Sequence, residues 1–155
     1  MSPPCPHSHA AAADPARVER ALIAARTRCE GAGEAWTEPR HRTYALLVGA
    51  GKPMKAYDLI QQFGGGMRPT KPPTVYRSLD LLMAIGLVQK VVTLGAYMAC
   101  PEGASTGAAG LLVCTCCHAV EQLPDTGPAA ISGAPAGFLI ERVVLEASGI
   151  CRRCR

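Results

Sequence analysis

Four of the eight cysteines stand in two C-x-x-C pairs. Cys114 and Cys117 form the first pair, Cys151 and Cys154 form the second, and 33 residues lie between them. Two such pairs are typical of a tetrahedral zinc site with four thiolate ligands, which has no open position and therefore stabilises structure rather than activating water. Cys116 leaves an alternative open, because it could replace Cys117 with C-x-C spacing. Buried reduced thiols or a redox pair are further interpretations.

A second set of residues with binding chemistry follows Thr70. Pro72 and Pro73 predict the first turn of a helix, where their missing N–H groups are not needed. One side of this helix is expected to be apolar, with Val75, Leu79 and Leu82. The opposite side carries groups that can donate hydrogen bonds to DNA phosphates or bases, namely Lys71, Thr74, Arg77 and Ser78.

Arg77 is the best candidate for reading a base, because its guanidinium matches guanine O6 and N7. A polar face is also common on any soluble helix, so the elements around it decide the interpretation. Three helices are predicted before it, beginning after Asp14, after Thr37 and at Lys55. Two β-prone runs, 87–92 and 96–100, follow it as a hairpin. This order predicts a winged helix-turn-helix.

The remainder of the chain has a different pattern. Strands are predicted at 111–114, 119–123 and 138–147, and one irregular helix in the Pro/Gly/Ala-rich stretch 124–137. The expected organisation is α+β: a flexible tail at 1–13, a winged-helix DNA-binding domain at 14–100, a linker at 101–110, and a small α/β zinc-binding and dimerisation domain at 111–155.

Charge and composition agree with this division. Residues 1–98 contain 12 basic and 7 acidic side chains, so a surface for nucleic acid is expected there. No run reaches the roughly 18 apolar residues of a membrane span, and the N-terminal residues do not resemble a secretory signal, which predicts a cytoplasmic protein. Cysteines in that compartment favour metal binding over disulfides. No catalytic Ser/His/Asp set or phosphate-binding loop is visible, so an enzyme is not expected.

Together, the segment KPPTVYRSLDLLMAIGLVQKV, the stretch 97–100 and the two C-x-x-C pairs resemble the ferric uptake regulator (Fur) family, most closely its zinc uptake regulator branch. The resemblance covers roughly residues 15–155. It implies a homodimeric, zinc-responsive repressor that binds a double-stranded DNA operator when loaded with metal and controls zinc-uptake genes. It also implies base contacts by Tyr57 and Arg77, a phosphate contact by Arg40, and a structural zinc ion on the four paired cysteines.

The sequence departs from this branch at a second, regulatory zinc site. The resemblance implies two histidines, a cysteine and a glutamate there, and only the cysteine is present, as Cys100. Gln89 and Gln122 stand at two of the other positions, and residues 101–113 contain no histidine. An amide is a poor zinc ligand. His118 replaces the glycine that normally follows the first C-x-x-C pair, at a turn that a non-glycine residue tolerates only moderately.

Two hypotheses follow from these departures. In the first, Cys100 forms a regulatory zinc site with substitute ligands, drawn from Cys116, His118, Glu121 and the tail residues Cys5, His7 and His9. Cys116 as a spare core thiol and adventitious metal binding by the tail are the simpler interpretations. In the second, the chain is a Fur-like DNA-binding regulator whose only zinc is structural. It then responds to a signal other than zinc, such as oxidation of Cys100 or Cys116.

Overall fold

The computed structural model of the protein describes residues 13–64, 71–100, 110–123, 133–140 and 143–155. Four helices precede a two-stranded hairpin and a three-stranded sheet. The helices are α1 (Pro15–Gly31), α2 (Glu38–Ala50), α3 (Ala56–Phe63) and α4 (Pro72–Ala84). The strands are β1 (Val88–Val91), β2 (Ala96–Ala99), β3 (Leu111–Cys114), β4 (Val120–Gln122) and β5 (Glu146–Gly149), and a 3₁₀ turn (Val92–Leu94) joins β1 to β2.

The helix boundaries follow from local sequence signals. The Asp14 carboxylate accepts a hydrogen bond from the backbone N–H of Ala16 at 3.4 Å, and Pro15 occupies the first turn of α1. Helix α2 ends at Gly51, which adopts the left-handed conformation with φ 59°. Helix α4 begins at the Pro-Pro pair as predicted.

The core of the N-terminal region is formed by the apolar sides of all four helices. Tyr44, Leu59, Val75, Leu79 and Leu82 are completely buried and belong to one cluster. Because α4 contributes three of these side chains, its apolar face is fixed against the core and its opposite face is turned to solvent.

The wing is an antiparallel pair in which Val88 faces Ala99 and Val91 faces Ala96. Met54, just before α3, exchanges two 2.8 Å backbone hydrogen bonds with Tyr97 and so adds a short third strand segment to the hairpin. Helices and wing together confirm the predicted winged helix-turn-helix fold.

The C-terminal region is a sheet in the order β4-β3-β5, with β3 antiparallel to β4 and parallel to β5. The strand predicted at 138–147 is wrong in position. Residues 138–140 and 143–145 are not in a strand, and β5 begins only at Glu146, because its pairing with β3 places Leu111 opposite Glu146 and Cys114 opposite Gly149.

Other predictions for this region fall partly outside the described residues. The irregular helix predicted at 124–137 is one: 124–132 are not described, and 133–137 form turns and irregular backbone. The linker, 101–110, is described only at Gly110. Within the described ranges, no helix combines the length and apolarity needed to cross a membrane.

The wing and the C-terminal sheet share an apolar cluster. Val91 from β1 packs with Leu111 and Val113 from β3, and all three are buried. Leu94, Met98 and Val120 cover this cluster. The sheet is therefore in direct contact with the winged-helix region rather than joined to it only by a linker.

Candidate metal centre and nucleic-acid surface

The four paired cysteines meet at one end of the C-terminal sheet. The Sγ atoms of Cys114, Cys117, Cys151 and Cys154 all lie within 4.8 Å of one another. The Sγ atoms of Cys117 and Cys151 are 3.7 Å apart. Four sulfurs around zinc at about 2.3 Å would be separated by about 3.8 Å, so the cluster fits a tetrahedral zinc ion.

The sheet explains why residues so distant in sequence come together. Cys114 is the last residue of β3, and the parallel pairing ends opposite Gly149, two residues before Cys151. The backbone N–H of Thr115 donates to the carbonyl of Gly149 at 2.8 Å, which extends the pairing into the cysteine turn. The four sulfurs that come together include that of Cys117 and not that of Cys116, which favours the C-x-x-C spacing.

The turn after β3 prepares Cys114 for metal binding. Backbone N–H groups of Cys117 and then Cys151 donate to its sulfur, the latter at 3.3 Å, and they lower the pKa of the Cys114 thiol to about 6. A thiolate is the form that binds zinc, so these donors favour the ligand state at neutral pH.

His118 closes this turn in a left-handed conformation. Its φ of 59° makes it the one non-glycine residue with positive φ among those described. Its N–H donates to the carbonyl of Cys114 at 3.0 Å, so the turn cannot relax without losing that bond. The backbone at position 118 therefore has a conformation that glycine adopts more easily than histidine, as the sequence predicts.

Replacing His118 with glycine is therefore expected to stabilise the zinc-loaded protein. The left-handed conformation costs a non-glycine residue roughly 1–2 kcal/mol, and glycine would remove this cost. Glycine also gives the unfolded chain more conformational freedom, which lowers the gain in stability by about 0.4–1 kcal/mol. We expect His118→Gly to raise the free energy of unfolding by about 0.5–1 kcal/mol in urea denaturation. The control, Ala119→Gly, should lower it, and a His118→Gly protein less stable than wild type would contradict the strain argument.

Cys100 lies at a different place, where the wing meets the C-terminal sheet. It is buried with 3% exposure, and its sulfur is 3.8 Å from Gln89 Oε1 on β1 and 3.4 Å from Gln122 Nε2 on β4. These two amides occupy positions where the resemblance implies zinc ligands. Amide groups are poor partners for zinc, so the residues present do not fit a second zinc ion.

The proposed substitute ligands are not assembled around Cys100. Among the described residues, the four-cysteine cluster is the one group of three or more His, Cys, Asp or Glu side chains with ligand atoms close together. Cys116, His118 and Glu121 form no such group with Cys100, so a site made from them is not supported. The tail residues Cys5, His7 and His9 lie outside the described residues.

Glu146, the first residue of β5, links the sheet to the turn of the wing. Its carboxylate accepts hydrogen bonds from the N–H of Val92 at 2.6 Å, the N–H of Thr93 at 2.8 Å and the hydroxyl of Thr93 at 2.7 Å. Partial burial alone would raise the pKa of Glu146, but these donors outweigh it and lower the pKa below its ordinary value.

The contribution of Glu146 should depend on pH with a defined sign. A carboxyl with a lowered pKa stabilises the folded state above its ordinary value of 4.5, and the contribution is lost as the pH falls through the lowered value. We expect Glu146→Ala to cost about 1 kcal/mol at pH 7 and progressively less below pH about 4. Urea denaturation at pH 7 and below pH about 4 measures this loss of unfolding free energy, with Glu121→Ala as the control. A loss in Glu146→Ala that is as large in acid as at pH 7 contradicts the prediction.

Helix α4 presents the face predicted to contact DNA. Lys71 and Arg77 are exposed and Thr74 is half-buried. Tyr57 on α3 is 68% exposed. Tyr76, which the sequence analysis did not single out, is 45% exposed next to Arg77.

Two residues of the predicted DNA surface are placed differently from expectation. Ser78 is 3% exposed because its position falls on the apolar side of α4, and its hydroxyl donates to the carbonyl of Thr74 at 2.9 Å, so Ser78 is not part of the exposed face. Arg40 bonds to the carboxylate of Glu34 at 3.2 Å and to the carbonyl of Ala35. A phosphate contact by Arg40 stays a prediction.

Comparison with known proteins agrees with this architecture. Profiles of known protein families match no part of the chain. The zinc uptake regulation protein of Escherichia coli (strain K12) is 34% identical over 117 residues, which cover 73% of this chain and 67% of that protein. The protein of the same description from Shigella flexneri gives the same values.

Solved structures show the same likeness. A zinc uptake regulator in complex with zinc and DNA superimposes with a TM-score of 0.79 at 29% identity, covering 88% of this chain and 94% of the other. Holo XcZur gives 0.72 at 34% identity, covering 86% and 95%. Apo XcZur, also at 34% identity and covering 90% and 98%, gives only 0.52. With its winged helix, four-cysteine cluster and sequence relatives, the chain belongs to the ferric uptake regulator family, in its zinc uptake regulator branch.

Proposed function

We propose that the chain is a zinc-responsive transcriptional repressor, not an enzyme, which binds a double-stranded DNA operator as a cytoplasmic homodimer when loaded with zinc and controls zinc-uptake genes. The observation that carries this proposal is the four-cysteine cluster at the end of a sheet that packs against the wing. One zinc ion per protomer would be held there by Cys114, Cys117, Cys151 and Cys154.

The packing suggests how zinc occupancy reaches the DNA surface. Zinc would join the ends of β3 and the segment that follows β5, which are paired in parallel. Strand β3 supplies Leu111 and Val113 to the cluster shared with the wing, and β5 supplies Glu146 to the turn of the wing. Loss of the metal would loosen both strands, and with them the support of the wing next to α4.

Exposed apolar side chains of the C-terminal region support dimerisation by a second copy. Phe138 is 68% exposed and Leu139 81%, and Val144, Leu145 and Ile150 are each at least half exposed. A cluster of this kind is typical of an interface, because its burial gains about 25 cal/mol per Å². On a surface that contacts only solvent, polar side chains would be expected at these positions instead.

We expect Leu139→Asp to convert the dimer to a monomer at micromolar concentration in sedimentation equilibrium, since a buried carboxylate opposes association by several kcal/mol. Ile23→Asp, at a 63% exposed position on α1, is the matched control and should stay dimeric. Wild-type protein that is monomeric at all concentrations, or a dimer that Leu139→Asp leaves intact, contradicts this interface.

The function is tested by selection from random duplex DNA. Zinc-loaded and zinc-stripped protein are each incubated with the library, and the retained sequences are measured again individually by fluorescence anisotropy. The proposal predicts a common sequence with two half-sites bound by the zinc-loaded dimer and weakened at least about 100-fold after stripping. Enrichment of no sequence, or equal binding by both forms, contradicts it.

Oxidation of Cys100 is not favoured as the alternative signal. Burial raises the pKa of this thiol, with smaller lowering effects from Gln122 and Arg28. Reactive sensor thiols are accessible and have lowered pKa values, and Cys100 has neither property.

A further inference from the structure

The boundary between the wing and the C-terminal sheet contains a polar arrangement that the zinc cluster does not explain. Cys100 follows β2, Gln89 lies on β1 and Gln122 ends β4. The three residues therefore come from two strands and the residue that follows a third, and from both regions of the chain. The N–H of Cys100 also donates to the carbonyl of Leu87 at 2.8 Å, which fixes the sulfur at the base of the wing.

The chemistry of these three side chains is complementary. The Cys100 thiol can donate its proton to the Gln89 carbonyl oxygen, and its sulfur can accept an N–H from Gln122. A neutral thiol fills both roles at once, whereas a thiolate would lose its donor. Metal binding would require that thiolate, together with two better ligands than amides.

Strand register explains why an amide rather than a carboxylate reaches the sulfur. On β4, Gln122 pairs with Leu111 and Glu121 pairs with Leu112. Leu111 is buried towards the wing while Leu112 is exposed, and neighbouring side chains of a strand point to opposite faces. Glu121 therefore lies on the face of the sheet that points away from Cys100.

We propose that Gln89, Cys100 and Gln122 form a metal-free bridge, which fixes the wing against the C-terminal sheet where a second zinc ion would otherwise be needed. The bridge acts beside the Glu146 link and the shared apolar cluster. Resting on the proposed function, it follows that the zinc response of this chain passes through the four-cysteine site alone.

Amide hydrogen exchange of the intact protein tests the bridge without DNA. We expect Gln122→Leu to speed exchange at the Thr93 and Cys100 amides about 3- to 10-fold, as the loss of one or two hydrogen bonds predicts. Glu121→Ala, one residue away on the opposite face, should leave both amides unchanged. Mild chelation that leaves the four-cysteine zinc in place should also leave wild-type exchange unchanged. Gln89→Ala is the second variant and should act like Gln122→Leu.

Zinc titration supplies the complementary readout. Wild-type protein should bind one zinc per protomer, and the double variant Gln89→His, Gln122→Glu should gain a second, exchangeable zinc because it presents better ligands to Cys100. An exchangeable second zinc on the wild type, or exchange rates that Gln122→Leu and Gln89→Ala leave unchanged, would overturn the bridge. If the wild type binds no DNA in any zinc state, the proposed function is wrong. The hydrogen-exchange rates still test the bridge, because they are measured without DNA.

Discussion

Cys117→Ser is expected to abolish stable zinc binding and, with it, DNA binding. In the proposed site each of the four clustered thiols would supply one corner of a closed tetrahedron, so loss of one thiol would leave the zinc ion without its fourth ligand. Even residues that only orient a metal ligand contribute about 10- to 100-fold to affinity, and loss of the ligand itself should exceed about 100-fold. The change is measured by competition with a chromogenic zinc chelator and by anisotropy on the selected duplex.

Cys116→Ser is the matched control for that experiment. Cys116 is adjacent to Cys117 in the same turn, but its sulfur is not one of the four that all lie within 4.8 Å of one another. Zinc affinity and DNA binding should change less than about threefold, since serine keeps the size and polarity of the side chain. A Cys116→Ser protein that loses zinc while Cys117→Ser retains it would reverse the ligand assignment and contradict the geometry described above.

Arg77→Ala should weaken binding to the selected duplex by about 1–3 kcal/mol, or roughly 5- to 150-fold, and relax the preference at one base pair. Arg77 is exposed on α4, whose opposite side is fixed in the core by Val75 and Leu79. A guanidinium in this position can bond to both acceptors of one guanine. Anisotropy with the selected duplex and its single-base variants measures both effects.

Lys71→Ala separates base reading from general charge attraction. Lys71 is exposed just before α4, where we expect its ammonium group to contact a phosphate. Its removal should weaken all duplexes about equally and reduce the slope of log affinity against log salt by about 1. Equal losses on the selected and on random duplexes for both variants would contradict the role of Arg77 as a base reader.

The N-terminal fold was predictable because its signals are local. Proline at the first turns, the Asp14 cap and glycines after the last turns define helix ends within a few residues. Ser78 shows the limit of this reasoning. It follows Arg77 directly, and one residue turns the side chain by about 100° around the helix, which places Ser78 among Val75, Leu79 and Leu82 instead of with Arg77.

The C-terminal region depends on long-range pairing, which sequence patterns do not determine. Residues 138–145, apolar except for Glu141 and Arg142, resemble a strand. Pairing with β3 nevertheless starts only at Glu146, whose carboxylate accepts hydrogen bonds from the turn of the wing. The meeting of the two C-x-x-C pairs was predictable from their spacing, whereas the choice of Cys117 over Cys116 needed the positions of the sulfurs. The contact of Cys100 with both amides could not be predicted, because it requires three strands to meet.

One titration tests the central claim most directly: zinc is added stepwise to zinc-stripped, reduced protein while DNA binding is followed by anisotropy and bound zinc is counted. The account predicts that binding to the selected duplex rises to its maximum with the first equivalent of zinc per protomer, as the four-cysteine site fills. Full DNA binding without zinc, or binding that begins only with a second equivalent, would contradict it.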